Sequence, residues 1–140
     1  MRKYNKELLK YAKKELRNCF AVMQERLEIK NLKLVFVRKV TNYLATGGPT
    51  RACRCEGKCV CKMTITFYEG SLISALNRII SYRKAFLHFM LLHEFRHILQ
   101  FREKFINSYL YCTDIGHFTL IETDARSEER RVGKECLRLC

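Results

Sequence analysis

The chain of 140 residues carries 27 Lys and Arg against 14 Asp and Glu, a formal net charge of +13, with 48% hydrophobic and 29% charged residues. That length holds one domain with one sizeable core and is short for two, and nine Phe, seven Tyr and the aliphatics exclude a disordered chain. The longest apolar stretch, 85–92, is interrupted by His88 and is far too short to span a bilayer, so no membrane partner is expected. The basic start, Met1-Arg2-Lys3-Tyr4-Asn5-Lys6, leads into a charged amphipathic segment and not a signal-peptide core, which makes a cytoplasmic location the expectation. Eight Cys would suit a secreted disulfide scaffold; without a signal they read as metal ligands or reduced thiols.

In chain order, residues 4–27 read as a helix, because Leu8, Ala12, Leu16, Cys19, Phe20, Met23 and Leu27 recur at three- and four-residue steps between charges. Residues 32–40 are β-branched and aromatic and read as a strand. Thr46-Gly47-Gly48-Pro49-Thr50 is the strongest loop signal. A hairpin is predicted next, its arms 51–55 and 59–68 flanking Glu56-Gly57-Lys58, with Val60, Met63, Ile65 and Phe67 along the second arm. Gly70-Ser71 punctuates, and Ser71 is the expected cap of a helix carrying Leu72, Ile73, Leu76, Ile79 and Ile80. From 83 to 104 a second helix is apolar around nearly its whole circumference and should be the central buried one. Residues 106–118 read as irregular, and a last helix begins near Leu120. The order is that of an α+β domain with a small antiparallel sheet.

The run from Arg126 to Cys136 resembles the in-frame translation of a common sequencing-library adapter. On that likeness the domain is expected over residues 1–125, with 126–140 a non-native tail to be set aside. Setting it aside removes five cations (Arg126, Arg130, Arg131, Lys134, Arg138) and three anions (Glu128, Glu129, Glu135), so the charge falls from +13 to +11 and six Cys are left of eight. The native chain is then expected to continue differently after Ala125.

The central helix contains His93-Glu94-Phe95-Arg96-His97, an H-E-x-x-H pattern. Residues four apart lie about 40° apart around a helix, so both imidazoles project from one face toward one metal ion. Glu94 sits one step round, where it approaches a zinc-bound water without filling a coordination position. Zinc lowers the pKa of such a water toward ~7, and the carboxylate takes its proton and delivers it to a leaving amine. With 4 His in the chain, such a pattern arises by chance roughly once in a hundred such sequences. An apolar helix, moreover, rarely takes in His, Glu, Arg and His together unless they are paired or bind metal. A catalytic zinc needs a third protein ligand; Glu122, at the start of the last helix, is the candidate and His117 its rival.

The pairing of His93-Glu94-Phe95-Arg96-His97-Ile98-Leu99-Gln100 with Glu122-Thr123-Asp124-Ala125 resembles the zincin metallopeptidases, in the branch whose third ligand is a downstream helical Glu. It is similar to the small phage-encoded minimal zinc peptidases and to the SprT-like and ImmA/IrrE-type groups, over roughly residues 60–125. The resemblance implies a minimal zincin-like fold with a buried active-site helix and a C-terminal ligand helix. It implies zinc held by His93, His97 and Glu122, with Glu94 as general base, and a protein or peptide substrate. It also implies a cleft against an edge strand that pairs with extended peptide, here 62–68. Asp124 is a candidate acceptor for an imidazole N–H, and Tyr109, Tyr111 and His117 are candidate oxyanion donors. Arg96 and Gln100 continue the polar face of the helix, to bind substrate or to hold the last helix in place, and the structural role is the expectation preferred.

Cys53, Cys55, Cys59 and Cys61 depart from that family pattern. On two hairpin arms each pair would share a face, so four thiols could converge on a structural zinc, or pack as small hydrophobes. Cys19 and Cys112 read as core residues. Most Lys and Arg sit in residues 1–40 and 78–104; a cationic face there could associate with nucleic acid through phosphates. No aromatic–basic DNA-reading motif accompanies it, so a solvated surface is the reading preferred. The alternative to a peptidase is a basic metal-binding or nucleic-acid-associated protein without turnover.

Overall fold

The structure, a computed structural model, describes residues 3–51 and 61–102. The segment 106–118, the helix expected from Leu120 and the tail 126–140 lie outside them. Among the described residues three helices and three strands follow one another as α1 (Lys3–Arg26), β1 (Leu32–Val37), β2 (Ala45–Pro49), β3 (Met63–Tyr68), α2 (Glu69–Arg78) and α3 (Arg83–Arg102). This is the α+β arrangement expected, and none of these helices is long and apolar enough to cross a membrane.

Helix α1 buries Leu8, Ala12, Leu16, Cys19 and Met23 along one stripe, so Cys19 is the core residue its position suggested. The stripe meets α3, where Phe20 and Phe95 stack with ring centroids 5.4 Å apart. Each fully buried Leu or Phe of this interface contributes about 1.5–3 kcal/mol. The helix ends in a Schellman motif: Ile29 N–H donates to the Gln24 carbonyl and Glu28 N–H to the Glu25 carbonyl, both 3.2 Å. Glu28 takes the left-handed φ of 52° that this ending requires. The cations of α1 have work to do on the sheet: Lys13 and Arg17 lie 5.4 and 5.3 Å from the Phe36 ring centre, and Lys13 pairs with Glu69 at 2.8 Å.

The sheet order is β1-β3-β2, with β1 parallel to β3 and β2 antiparallel to it. It is therefore mixed, and not the antiparallel sheet expected. Consecutive strands with short connections usually pair as neighbours, but here β3 inserts between its two predecessors. Its side chains alternate cleanly, with Met63, Ile65 and Phe67 buried under the helices and Thr64, Thr66 and Tyr68 turned to the half-exposed face. The first arm and turn of the predicted hairpin lie outside the described residues beyond Arg51, and the antiparallel partner that β3 has among the described residues is β2. Pro49, Gly48, Gly47, Thr46 and Ala45 pair with Met63 through Phe67, so the glycine-rich segment read as a loop is a strand.

Strand β3 runs straight into α2, whose N-cap is Tyr68, not Ser71. Ser71 lies within the first turn and ties down the 38–44 loop: its Oγ accepts from Thr41 N–H and donates to the Thr41 carbonyl, both 2.8 Å. Gly70 makes room for that crossing, since a β-carbon there would stand 2.4 Å from Val40 Cγ2. Arg83 Nε donates to the Leu76 carbonyl at 3.0 Å and closes the end of α2. Helix α3 is buried on nearly every side, Lys84 alone of its residues being exposed, and this is the central helix the sequence predicts.

Candidate metal centre

One face of α3 carries Met90, His93, Glu94, His97 and Phe101, at helical spacing, and faces the strand β2 and the loop before it. Between them lies a cleft of about 490 Å³, walled on the other side by Asn42, Tyr43, Leu44, Ala45, Thr46 and Gly47. The two glycines explain the closeness of the wall. A β-carbon on Gly47 would stand 3.0 Å from Glu94 Oε2, and one on Gly48 3.0 Å from the Phe101 ring. Adjacent glycines in a strand mark close backbone approach, and that signal, read as a loop, would have found this wall. Nothing in the sequence pattern points to Tyr43, which stands two-thirds exposed at the rim. Thr41 holds it there, its Oγ1 donating to the Tyr43 carbonyl at 2.7 Å and accepting from Tyr43 N–H at 3.2 Å.

Inside the cleft the imidazoles of His93 and His97 converge, with Nε2 to Nε2 at 3.1 Å and the rings crossed at 85°. Two nitrogens at ~2.0–2.1 Å from one tetrahedral zinc stand about 3.3 Å apart. The pair therefore fits a shared zinc in both donor type and spacing. Glu94 is buried beside them, next to Gly47. His97 Nδ1 contacts Gln100 Oε1 at 2.8 Å, and Gln100 is itself only 2% exposed. Gln100 thus contacts His97; the last helix, which the sequence suggested it supports, lies outside the described residues.

No family model, curated protein or solved structure matches the chain.

The third ligand candidates Glu122 and His117, the acceptor candidate Asp124 and the oxyanion candidates Tyr109 and Tyr111 lie outside the described residues. Among the described residues no group of three or more His, Cys, Asp and Glu side chains is placed to hold a metal ion. Of the cysteine cluster, Cys53, Cys55 and Cys59 also lie outside, and Cys61 is a half-buried thiol in no disulfide.

The edge strand is not 62–68. That segment is β3, paired on both sides, and the strand along the cleft is β2. Tyr68 N–H donates to the Leu44 carbonyl at 3.0 Å and Thr50 N–H to the Lys62 carbonyl at 2.9 Å. Even-numbered residues from 44 to 50 therefore turn their backbone groups to β3. Ala45 and Gly47 turn N–H and C=O the opposite way, along an edge beyond which no described strand lies, and Pro49 offers only a carbonyl there. Such an edge can take up an extended chain by backbone hydrogen bonds.

Proposed function

We propose that this chain is a zinc-dependent peptidase that hydrolyses peptide bonds of a protein substrate, with His93, His97 and Glu122 as zinc ligands and Glu94 as general base. The observation that carries this reading is the 3.1 Å convergence of the two Nε2 atoms within a cleft that also holds the buried Glu94. Zinc, when bound, supplies Lewis-acid polarisation of a carbonyl and lowers the pKa of water toward ~7. Glu94 takes a proton from the attacking water and returns it to the leaving amine. Its burial keeps competing bulk water away, and Gly47 fixes its position from the strand side. Ala45 and Gly47 align the substrate backbone as an added strand, which selects an extended chain over a folded one. A cytoplasmic location belongs to the same proposal, in keeping with thiols that stay reduced there.

Metal analysis together with Glu94→Gln tests it. The variant is expected to keep the zinc content of the wild type and to lose peptide hydrolysis about 100- to 10,000-fold. Undiminished cleavage by the variant removes Glu94 from the general-base role, and wild-type protein that takes up no zinc refutes the reading as a whole.

A further inference from the structure

The contact between His97 and Gln100 has a chemical direction. Gln100 Oε1 lies 2.8 Å from His97 Nδ1. An amide oxygen only accepts, so this pairing requires the ring proton on Nδ1 and leaves the lone pair to Nε2, the nitrogen that faces His93. We propose that Gln100 is a positioning residue that holds His97 as its Nδ1–H tautomer, fixes the ring plane and so makes Nε2 the donor nitrogen of the site. A three-residue step on α3 puts the amide on the face of the ring it serves. Both side chains are buried, so Nδ1 and Oε1 meet away from bulk water. The consequence for zinc affinity rests on the peptidase reading above; the tautomer does not.

The test uses the full chain, isotope-labelled at histidine and stripped of metal with a chelator. Long-range proton–nitrogen correlations, taken at a pH where the ring is neutral, report which nitrogen of His97 carries the proton. Nδ1–H is expected in the wild type and in Gln100→Glu, which keeps an acceptor. Gln100→Met keeps the length of the side chain and removes the acceptor, so it is expected to populate Nε2–H. Competition with a chromophoric chelator is expected to show zinc bound about 10- to 100-fold more weakly by Gln100→Met, with Gln100→Glu close to wild type. An Nε2–H ring at His97 in the wild type overturns the proposal without any variant having to fold. So does an unchanged tautomer in folded Gln100→Met. Wild-type protein that binds no zinc while His97 stays Nδ1–H overturns the peptidase reading and supports the role of Gln100.

Discussion

Gly47 of β2 lies so close to Glu94 of α3 that a β-carbon built on it would stand 3.0 Å from Glu94 Oε2 and 3.1 Å from the Glu94 carbonyl. The backbone there is not left-handed, so space alone demands glycine. Gly47→Ala is expected to push strand and helix apart by a few tenths of an ångström and to shift the carboxylate. Overpacking of this kind costs about 1–3 kcal/mol of stability, and a misplaced catalytic group costs ~10- to 100-fold in kcat/KM. Gly48→Ala meets the edge of the Phe101 ring, which can turn, and should lose less. Peptidase assays at equal zinc content distinguish the two, and a fully active Gly47→Ala would show that the close approach has no catalytic role.

His88 is fully buried on α3, neither ring nitrogen has a hydrogen-bond partner among the described residues, and the Glu15 carboxylate of α1 lies 3.6 Å from Nε2. Leaving a buried polar atom unsatisfied costs ~1–3 kcal/mol. His88→Leu removes both nitrogens and keeps a comparable volume, so it is expected to stabilise the fold by about 1 kcal/mol at neutral pH. Chemical denaturation with an unchanged m-value reads this directly. A destabilised variant would mean that the Glu15 contact outweighs the burial of the ring.

The long helices and β3 are legible in the sequence because each repeats one signal many times. The apolar stripe of α1 from Leu8 to Met23 and the alternation of Met63, Ile65 and Phe67 each leave a single face to bury. Strand β2 is not legible, because two Gly and a Pro in five residues contradict both strand propensity and alternation. It is a strand because it pairs with β3, and its glycines answer the close approach of Glu94 and Phe101, a demand that comes from α3, far along the chain. Strand order is illegible for a similar reason: periodicity states which face is buried, never which neighbour is paired. Within the site, His93, Glu94 and His97 are visible from their spacing alone. Gln100 is an ordinary polar residue until the ring of His97 is seen turned toward it.

The end of α1 offers a stability test independent of the site. Glu28 occupies the left-handed position of a Schellman motif, with φ 52°. Residues with a β-carbon are strained there by roughly 1 kcal/mol relative to glycine, which is the residue usually found at that position. Glu28→Gly is therefore expected to raise stability by about 0.5–1 kcal/mol with activity unchanged, read as a higher denaturation midpoint. A lower midpoint would show that the Glu28 side chain contributes more than its backbone strain costs.

The outer edge of β2, beyond which no described strand lies, predicts a pattern in the substrate of the proposed peptidase. Ala45 and Gly47 direct their carbonyls outward at every second residue, and Pro49 continues that row of acceptors while lacking the N–H. A substrate chain lying along this edge must donate with alternate amides, its intervening amides facing away. Replacing single amides of a peptide substrate by esters removes one donor at a time. Each ester at a pairing position is expected to raise KM about 5- to 10-fold, the equivalent of one hydrogen bond of ~1 kcal/mol, and the positions between them are expected to be silent. Sensitivity that alternates in steps of two is the signature of a strand added to β2. Uniform loss, or none, would mean that the cleft grips side chains and not the substrate backbone.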